Sequence, residues 1–237
     1  RGNRTMDILL NYMEEGVGEP LFLLHGNSQN HRYFKYQIEF FGKFYRVIAI
    51  DTRGHGNSPR GEKPFTIDQF AEDLYEFMQI HDMPKANILG FSDGGNIALT
   101  FTLRHPKMVN KLILNGANLS TNGVKFRYQV LVEIGYKVAS MFAQKSEKAK
   151  KNAEMLGLMV NDLNIRPEEL RNLNVPTLVI AGTKDMIKES HTRLIYENLP
   201  KAELAILPGD HFIARRNSKV FNETVLEFLK HKYLNSG

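Results

Sequence analysis

Short runs of valine, isoleucine and leucine alternate along the chain with longer segments of helical period. The runs lie at residues 21–24, 46–50, 86–89, 111–114, 177–181 and 203–207. They lack polar alternation, which is typical of strands that are buried on both faces of a parallel sheet. Apolar residues with helical spacing at 66–78, 96–104 and 220–230 predict helices between them. The sequence therefore predicts an α/β protein with a mostly parallel central sheet and flanking helices.

Two segments depart from this alternation. Residues 6–13, ahead of a turn signal at 14–18, predict an antiparallel hairpin at the sheet edge. Residues 118–164 are amphipathic and helical with no strand run, and an insertion of this kind favours a short helical cap over the carboxyl edge of the sheet. We therefore expect a core of residues 1–117 and 165–237 with a cap at 118–164. Ordinary packing helices are the alternative for the insertion.

Composition excludes several classes of protein. The 237 residues include 31 Lys and Arg, 26 Asp and Glu and no cysteine, so disulfides, thiolate metal sites and cysteine nucleophiles are ruled out. Basic residues are scattered apart from a cluster at 145–151, and we expect that cluster to be a solvated helix face rather than a nucleic-acid site. No apolar run is long enough for a membrane span, and the first residues do not resemble a secretory signal. We expect a cytoplasmic location; the oligomeric state stays open.

The sharpest motif is Gly90-Phe-Ser-Asp-Gly94, which lies directly between a strand run and a helix. A serine on a tight strand-to-helix turn needs small neighbours two residues away, because the turn brings backbone segments close together. This context makes Ser92 a candidate nucleophile.

A serine hydroxyl needs a base to accept its proton, and that base needs a carboxylate to orient it. Asp185 follows the run at 177–181, and His211 follows the run at 203–207, so both belong at the carboxyl edge of the sheet. The order Ser92, Asp185, His211 is the order of a triad on an α/β-hydrolase sheet. Asp210 is the alternative acid, but adjacent side chains rarely face one another, so Asp185 is preferred.

Hydrolysis at Ser92 also requires backbone N–H groups that stabilise a tetrahedral intermediate. The loop after residues 21–24 begins His25-Gly-Asn27, and we expect the Asn27 amide to supply one donor. The Asp93 amide, at the start of a helix whose dipole favours negative charge, is the expected second donor. His25, Asp51 and His55 are expected to support their loops.

Together these motifs resemble the α/β-hydrolase superfamily over nearly the whole chain. The resemblance rests on His25-Gly26, the loop 51–58, Gly90-Phe-Ser-Asp-Gly94, the segment 175–185 and Gly209-Asp-His211. Within the superfamily, Gly90 to Gly95 and residues 111–118 are similar to the biphenyl-hydrolase-like (valacyclovir hydrolase) group. That resemblance implies cleavage of α-amino acid esters, with Asp93 holding the substrate ammonium. A plain alternative for Asp93 is that a carboxylate is favourable in the first turn of any helix.

We therefore predict a serine hydrolase that cleaves a small carboxylic ester without a metal or organic cofactor. Tyr128 and Phe142 in the cap are candidate substrate-binding residues, although core packing is an equal alternative for both. Hydrolysis of α-amino acid esters, amides or C–C bonds, and perhydrolysis, use the same triad on this fold and stay open, as does a hydrolase-derived sensor of small molecules.

Overall fold

The computed structural model describes residues 7–161 and 163–232, in which seven strands form a single sheet. The strands are β1 (Tyr12–Glu15), β2 (Pro20–Leu24), β3 (Arg46–Ile50), β4 (Ala86–Phe91), β5 (Val109–Asn115), β6 (Thr177–Lys184) and β7 (Ala202–Asp210). Their order in the sheet is β1-β3-β2-β4-β5-β6-β7, and every pair is parallel except β1 with β3. The predicted α/β fold with a mostly parallel sheet is confirmed.

The α-helices of the described residues are α1 (Lys35–Phe41), α2 (Ile67–Ile80), α3 (Asp93–Arg104), α4 (Phe126–Phe142), α5 (Glu147–Asn161), α6 (Pro167–Leu170), α7 (Glu189–Asn198), α8 (Ile213–Arg216) and α9 (Ser218–Lys230). Short 3₁₀ turns lie at His31–Phe34, Pro106–Met108 and Thr121–Gly123. Helix α2 begins after Thr66, whose hydroxyl accepts a hydrogen bond from the Gln69 N–H as an N-cap. No helix of the described residues is long and apolar enough to cross a membrane.

Two hydrophobic cores lie on opposite faces of the sheet because successive strand residues point to opposite sides. In β2, Phe22 and Leu24 pack into the core beneath α2 and α3, whereas Leu21 and Leu23 pack into the core beneath α1 and α9. Burial on both faces explains why the strand runs of the sequence are continuously apolar.

The predicted antiparallel segment at the sheet edge is present, but it lies at Tyr12–Glu15 rather than at residues 6–13 and does not form a hairpin with β2. Strand β1 starts at Tyr12 and pairs antiparallel with β3, Tyr12 lying opposite Ile50, so β3 separates β1 from β2. The expected turn exists, since Gly16 and Gly18 have φ values of 83° and 107°. All four β1 residues are exposed, so no buried apolar run marks this strand in the sequence. Met6 lies outside the described residues.

Strand register brings the ends of distant segments together at the carboxyl edge of the sheet. Leu24 of β2 lies opposite Gly90 of β4, which sets the loop after β2 beside the residues after β4. Lys184 of β6 lies opposite Asp210 of β7, so the residues that follow these two strands are neighbours as well. The candidate site lies at this edge.

Helices α4 and α5 occupy the segment between β5 and β6. An antiparallel bridge between Ser120 and Asn164 closes the segment at its base. The backbone of Gly135 in α4 approaches the Leu156 side chain of α5, and a Cβ added at Gly135 would lie 3.2 Å from it. Helix α5 buries Met155 and Leu158, whereas no residue of α4 is buried. Helix α5 is therefore the inner helix of the pair.

Candidate active site

Ser92 lies at a sharp turn between β4 and α3. Its backbone has φ 54° and ψ −120°, a left-handed conformation that is costly for a residue with a side chain. A Cβ at Gly90 would overlap the Gly94 carbonyl, and a Cβ at Gly94 would overlap the Leu24 carbonyl. The two glycines are therefore needed because backbone segments pass too close for any larger residue.

The structure brings Ser92, His211 and Asp185 together in one hydrogen-bonded chain. The Nε2 atom of His211 lies 3.1 Å from the Ser92 hydroxyl oxygen, and its Nδ1 atom lies 2.6 Å from Oδ1 of Asp185. His211 and Asp185 are buried, whereas Ser92 is partly exposed. The Oδ1 atom of Asp185 also accepts a hydrogen bond from the Ile187 N–H at 2.9 Å, which orients the carboxylate.

These contacts determine which ring nitrogen of His211 carries a proton. A carboxylate accepts hydrogen bonds and does not donate them, so the Nδ1–H group of His211 donates to Asp185. The Nε2 atom is then left as an acceptor for the Ser92 hydroxyl. The arrangement can remove the serine proton as the oxygen attacks a carbonyl carbon, and the buried carboxylate can stabilise the resulting imidazolium.

Asp210, the alternative acid, has other partners. Its Oδ1 atom accepts a hydrogen bond from the Phe212 N–H at 2.9 Å, and its Oδ2 atom pairs with Arg216. It follows that Asp185 is the carboxylate placed on the Nδ1 atom of His211.

Asn27 and Asp93, the expected oxyanion donors, lie on facing segments. The side-chain amide of Asn27 donates to the Asp93 carboxylate at 2.9 Å and to the Met155 carbonyl of α5 at 2.6 Å. The close approach of Gly94 to the Leu24 carbonyl packs the loop after β2 directly on the first turn of α3. The sequence did not signal the contact between Asn27 and Met155, because these residues are 128 positions apart.

His25 supports the loop after β2 and is neutral. Its Nδ1 atom is 2.7 Å from the Gly26 carbonyl and its Nε2 atom accepts from the Thr52 N–H at 3.1 Å, so the proton is on Nδ1. Complete burial, reinforced by the nearby His55, lowers the pKa of His25 to about 3. A neutral ring with both nitrogen atoms occupied is a structural element of the loop.

Asp51 organises the loop after β3. Its buried carboxylate accepts hydrogen bonds from the Asn11 side chain, from the backbone and ring of His31 and from the Asn57 N–H, at 2.7 to 3.0 Å. Burial raises the pKa of Asp51, but these hydrogen bonds outweigh that effect and hold the pKa below its ordinary value. His55 is also buried, with its Nδ1 atom 2.9 Å from the Arg53 carbonyl. These contacts hold the loop after β3 in its conformation.

The two candidate substrate-binding residues, Tyr128 and Phe142, lie near opposite ends of α4. The Tyr128 hydroxyl accepts from Arg127 at 2.9 Å, and about half of Phe142 is exposed. Among the described residues, no group of three histidine or acidic side chains is arranged to hold a metal ion.

Gly116 is a residue of the site that sequence reasoning missed. It follows β5 with φ 62°, and an added Cβ would lie 2.7 Å from Cε1 and 2.9 Å from Nδ1 of His211. The bare backbone of Gly116 therefore forms one wall against the imidazole. The sequence signal was present in Asn115-Gly-Ala117, a glycine at the end of a strand run, but it did not indicate contact with a histidine 95 positions later.

Comparison with known proteins gives the same fold and places the chain among hydrolases. A family described as the α/β hydrolase fold matches residues 19–157. The chain is 26% identical to 3-oxoadipate enol-lactonase 2 of Acinetobacter baylyi, covering 95% of each protein, and 26% identical to the serine hydrolase BPHL of Homo sapiens, covering 94% of this chain and 84% of the relative. Among solved structures, the meta-cleavage product hydrolase CumD of Pseudomonas fluorescens matches with TM-score 0.76 and 25% identity over 94% of each chain.

These similarities extend beyond the motifs to most of the chain. The family match alone covers more than half of the chain and includes both Asn27 and Ser92. The protein belongs to the α/β-hydrolase superfamily.

Proposed function

We propose that the protein is a serine hydrolase that cleaves small carboxylic esters through an acyl-enzyme. The observation that carries this proposal is the chain of contacts from Ser92 through His211 to Asp185, at 3.1 and 2.6 Å. The enol-lactonase name of one relative supports ester chemistry, because a lactone is a cyclic ester. The cytoplasmic location stays a prediction from composition.

In the first half-reaction, the Ser92 oxygen attacks the ester carbonyl carbon while Nε2 of His211 takes the hydroxyl proton. The backbone N–H groups of Asn27 and Asp93 are the proposed donors to the oxyanion. As the intermediate collapses, the bond to the alcohol oxygen breaks, and His211 returns the proton to the leaving alcohol. Water then attacks the acyl-enzyme by the same route and releases the acid. Asp185 holds the imidazole in the required tautomer throughout.

Replacing Ser92 with alanine tests this mechanism. We expect turnover of p-nitrophenyl acetate and butyrate to fall on the order of 10⁴-fold or more, because the Ser92 hydroxyl is the group that lies next to Nε2 of His211. The variant should fold, since the alanine side chain is smaller than serine. Retained turnover at the wild-type rate would exclude Ser92 as the nucleophile.

A fluorophosphonate probe gives an independent measurement. We expect it to label Ser92, identified by peptide mapping, and labelling should be lost in His211→Ala. Repeated turnover of the p-nitrophenyl esters would support a hydrolase. A single turnover per molecule, with altered mobility of α4 and α5, would support a hydrolase-derived sensor of small molecules.

Cleavage of α-amino acid esters is the second candidate, and a specific observation favours it. The buried Asp93 carboxylate follows the nucleophile directly and faces Asn27, so it offers a negative charge beside Ser92. Comparing simple acyl esters with α-amino acid esters, in wild type and in Asp93→Ala, separates the two. A selective loss for the amino acid esters indicates ammonium binding, whereas an equal loss for both classes assigns Asp93 to the structure of the site.

A further inference from the structure

Helix α4 presents an apolar stripe to solvent. Leu131, Ile134, Val138 and Met141 are exposed by 68%, 54%, 51% and 74%. Their spacing of three, four and three residues places them on one side of the helix over about three turns. An apolar stripe of this width on a helix normally faces a protein core.

The stripe faces away from the rest of the molecule. Tyr136, on the opposite side of α4, approaches Gly157 of α5, and Gly135 at the border of the stripe approaches Leu156. Helix α5 in turn buries Met155 and Leu158. The pair is therefore layered on the core with α4 outermost. Contiguous exposed apolar patches of this kind mark interaction sites.

Positive charge flanks the stripe along the chain. Residues 125–146, which are α4 and the turns at its two ends, contain four cations, Lys125, Arg127, Lys137 and Lys145, against one carboxylate, Glu133. The excess of three positive charges is more than half of the formal net charge of +5. All four cations except Lys125 are exposed.

We infer that the stripe on α4 docks onto an anionic lipid surface. An apolar helix face flanked by lysine and arginine is the pattern of a helix that lies in the membrane interface, where the face enters the acyl boundary and the cations contact headgroups. This inference goes beyond the proposed ester cleavage and does not depend on Ser92.

A second copy of the chain is the other occupant to consider, and the charges oppose it. A twofold axis through the stripe brings the same segment of two chains together. In an antiparallel pair of α4 helices, Arg127 approaches Lys145 of the other copy; in a parallel pair, each cation approaches its own counterpart. Both arrangements bring two basic segments together, whereas an anionic lipid surface neutralises them.

The experiment is vesicle flotation of the full chain. We expect binding to vesicles of phosphatidylcholine and phosphatidylglycerol (3:1) at least about tenfold stronger than to phosphatidylcholine alone, and weaker binding as salt is raised. The variant Ile134→Glu with Val138→Glu should bind the anionic vesicles at least about tenfold more weakly than wild type. Leu9→Glu with Val17→Glu is the matched control, since both residues are exposed and apolar and the change in net charge is identical. This control should lose much less of its vesicle binding.

A second variant leaves the stripe intact. Lys137→Gln with Lys145→Gln should weaken vesicle binding roughly fivefold for each lysine removed, with unchanged circular dichroism. Equal losses in the α4 variant and its control, or no binding by wild type, would overturn the inference. Light scattering that shows a dimer, dispersed by the α4 variant, would instead assign the stripe to a second copy. Turnover of a water-dissolved ester by the α4 variant reports separately on the proposed hydrolase.

Discussion

At the scale of single residues, the site depends on backbone positions as much as on reactive side chains. The φ of 54° at Ser92 stores strain of about 1–3 kcal/mol. The turn persists because close packing at Gly90 and Gly94 leaves the backbone no relaxed alternative. The same turn directs the serine oxygen to His211.

Gly116 gives a prediction at this scale. Replacing it with alanine sets a Cβ 2.7 Å from the His211 ring at a φ of 62°, so the imidazole must move from its place between Asp185 and Ser92. We expect kcat to fall at least about tenfold, since a displacement near 1 Å is costly in catalysis. Ester hydrolysis kinetics measure the fall in kcat, and thermal denaturation measures any change in stability.

The matched control for Gly116→Ala is Gly157→Ala in α5. There the added Cβ would lie 3.4 Å from the Tyr136 ring, an ordinary contact, and alanine favours a helix. We expect unchanged kcat and equal or higher stability. If Gly116→Ala keeps wild-type kcat, the contact with the imidazole has no role in positioning it.

The sequence predicted the reactive residues but not all of the residues that contact them. Ser92, Asp185 and His211 were predicted because each follows an apolar run, and strand ends in a parallel sheet share one edge. The contacts of Gly116 and of the Asn27 side chain depend on tertiary packing between residues about 100 positions apart. Local sequence carries no signal for such contacts.

At the scale of elements, buried strands were predicted well and their ends less well. The run 46–50 coincides with β3, whereas β6 and β7 each continue three residues beyond the predicted ends, to Lys184 and Asp210. These extensions contain glycine and polar residues, so hydropathy does not mark them. Strand β1 was misplaced because all four of its residues are exposed, so it has no continuous apolar run.

The inner helix α5 is attached to the core by polar contacts in addition to its buried residues. Arg60 in the loop after β3 donates to Glu154 from Nη2 at 2.7 Å and from Nε at 3.1 Å. Asn27 donates to the Met155 carbonyl on the next residue. The two contacts connect α5 to the loops after β3 and β2, and the loop after β2 packs on the first turn of α3, next to Ser92.

Replacing Glu154 with glutamine tests this attachment. Because both partners are partly exposed, we expect the free energy of unfolding to fall by less than about 1 kcal/mol. Local opening of α5 should nevertheless increase, seen as hydrogen exchange about two- to fivefold faster in residues 150–158.

Glu189→Gln is the control, since Glu189 pairs with Arg193 within the exposed surface of α7 at the same 2.7 Å. It should leave exchange in α5 unchanged. Equal exchange in α5 for both variants would show that the pair of Arg60 and Glu154 does not hold the helix.

At the scale of the whole molecule, a buried arginine connects three separate segments. Arg53 follows β3 and is fully buried. It forms a bidentate pair with Asp73 of α2, at 2.8 and 2.7 Å, and contacts the Asp7 carboxylate near the start of the described chain. Its Nη1 atom also donates to the Arg60 carbonyl at 2.9 Å. The guanidinium thus connects the segment before β1, α2 and the loop that holds α5.

Replacing Asp73 with asparagine should therefore destabilise the entire fold. The amide keeps the shape of the carboxylate but removes its charge, and a buried guanidinium that loses its partner costs about 3–5 kcal/mol. We expect a cooperative urea transition at a lower midpoint with an unchanged slope. The control is Asp68→Asn on the same helix, because Asp68 is exposed and pairs with Arg104 at 2.6 Å; its cost should stay below about 1 kcal/mol. Similar midpoints for the two variants would mean that Asp7 and the Arg60 carbonyl alone satisfy Arg53, and the connection would then run through the loop rather than through α2.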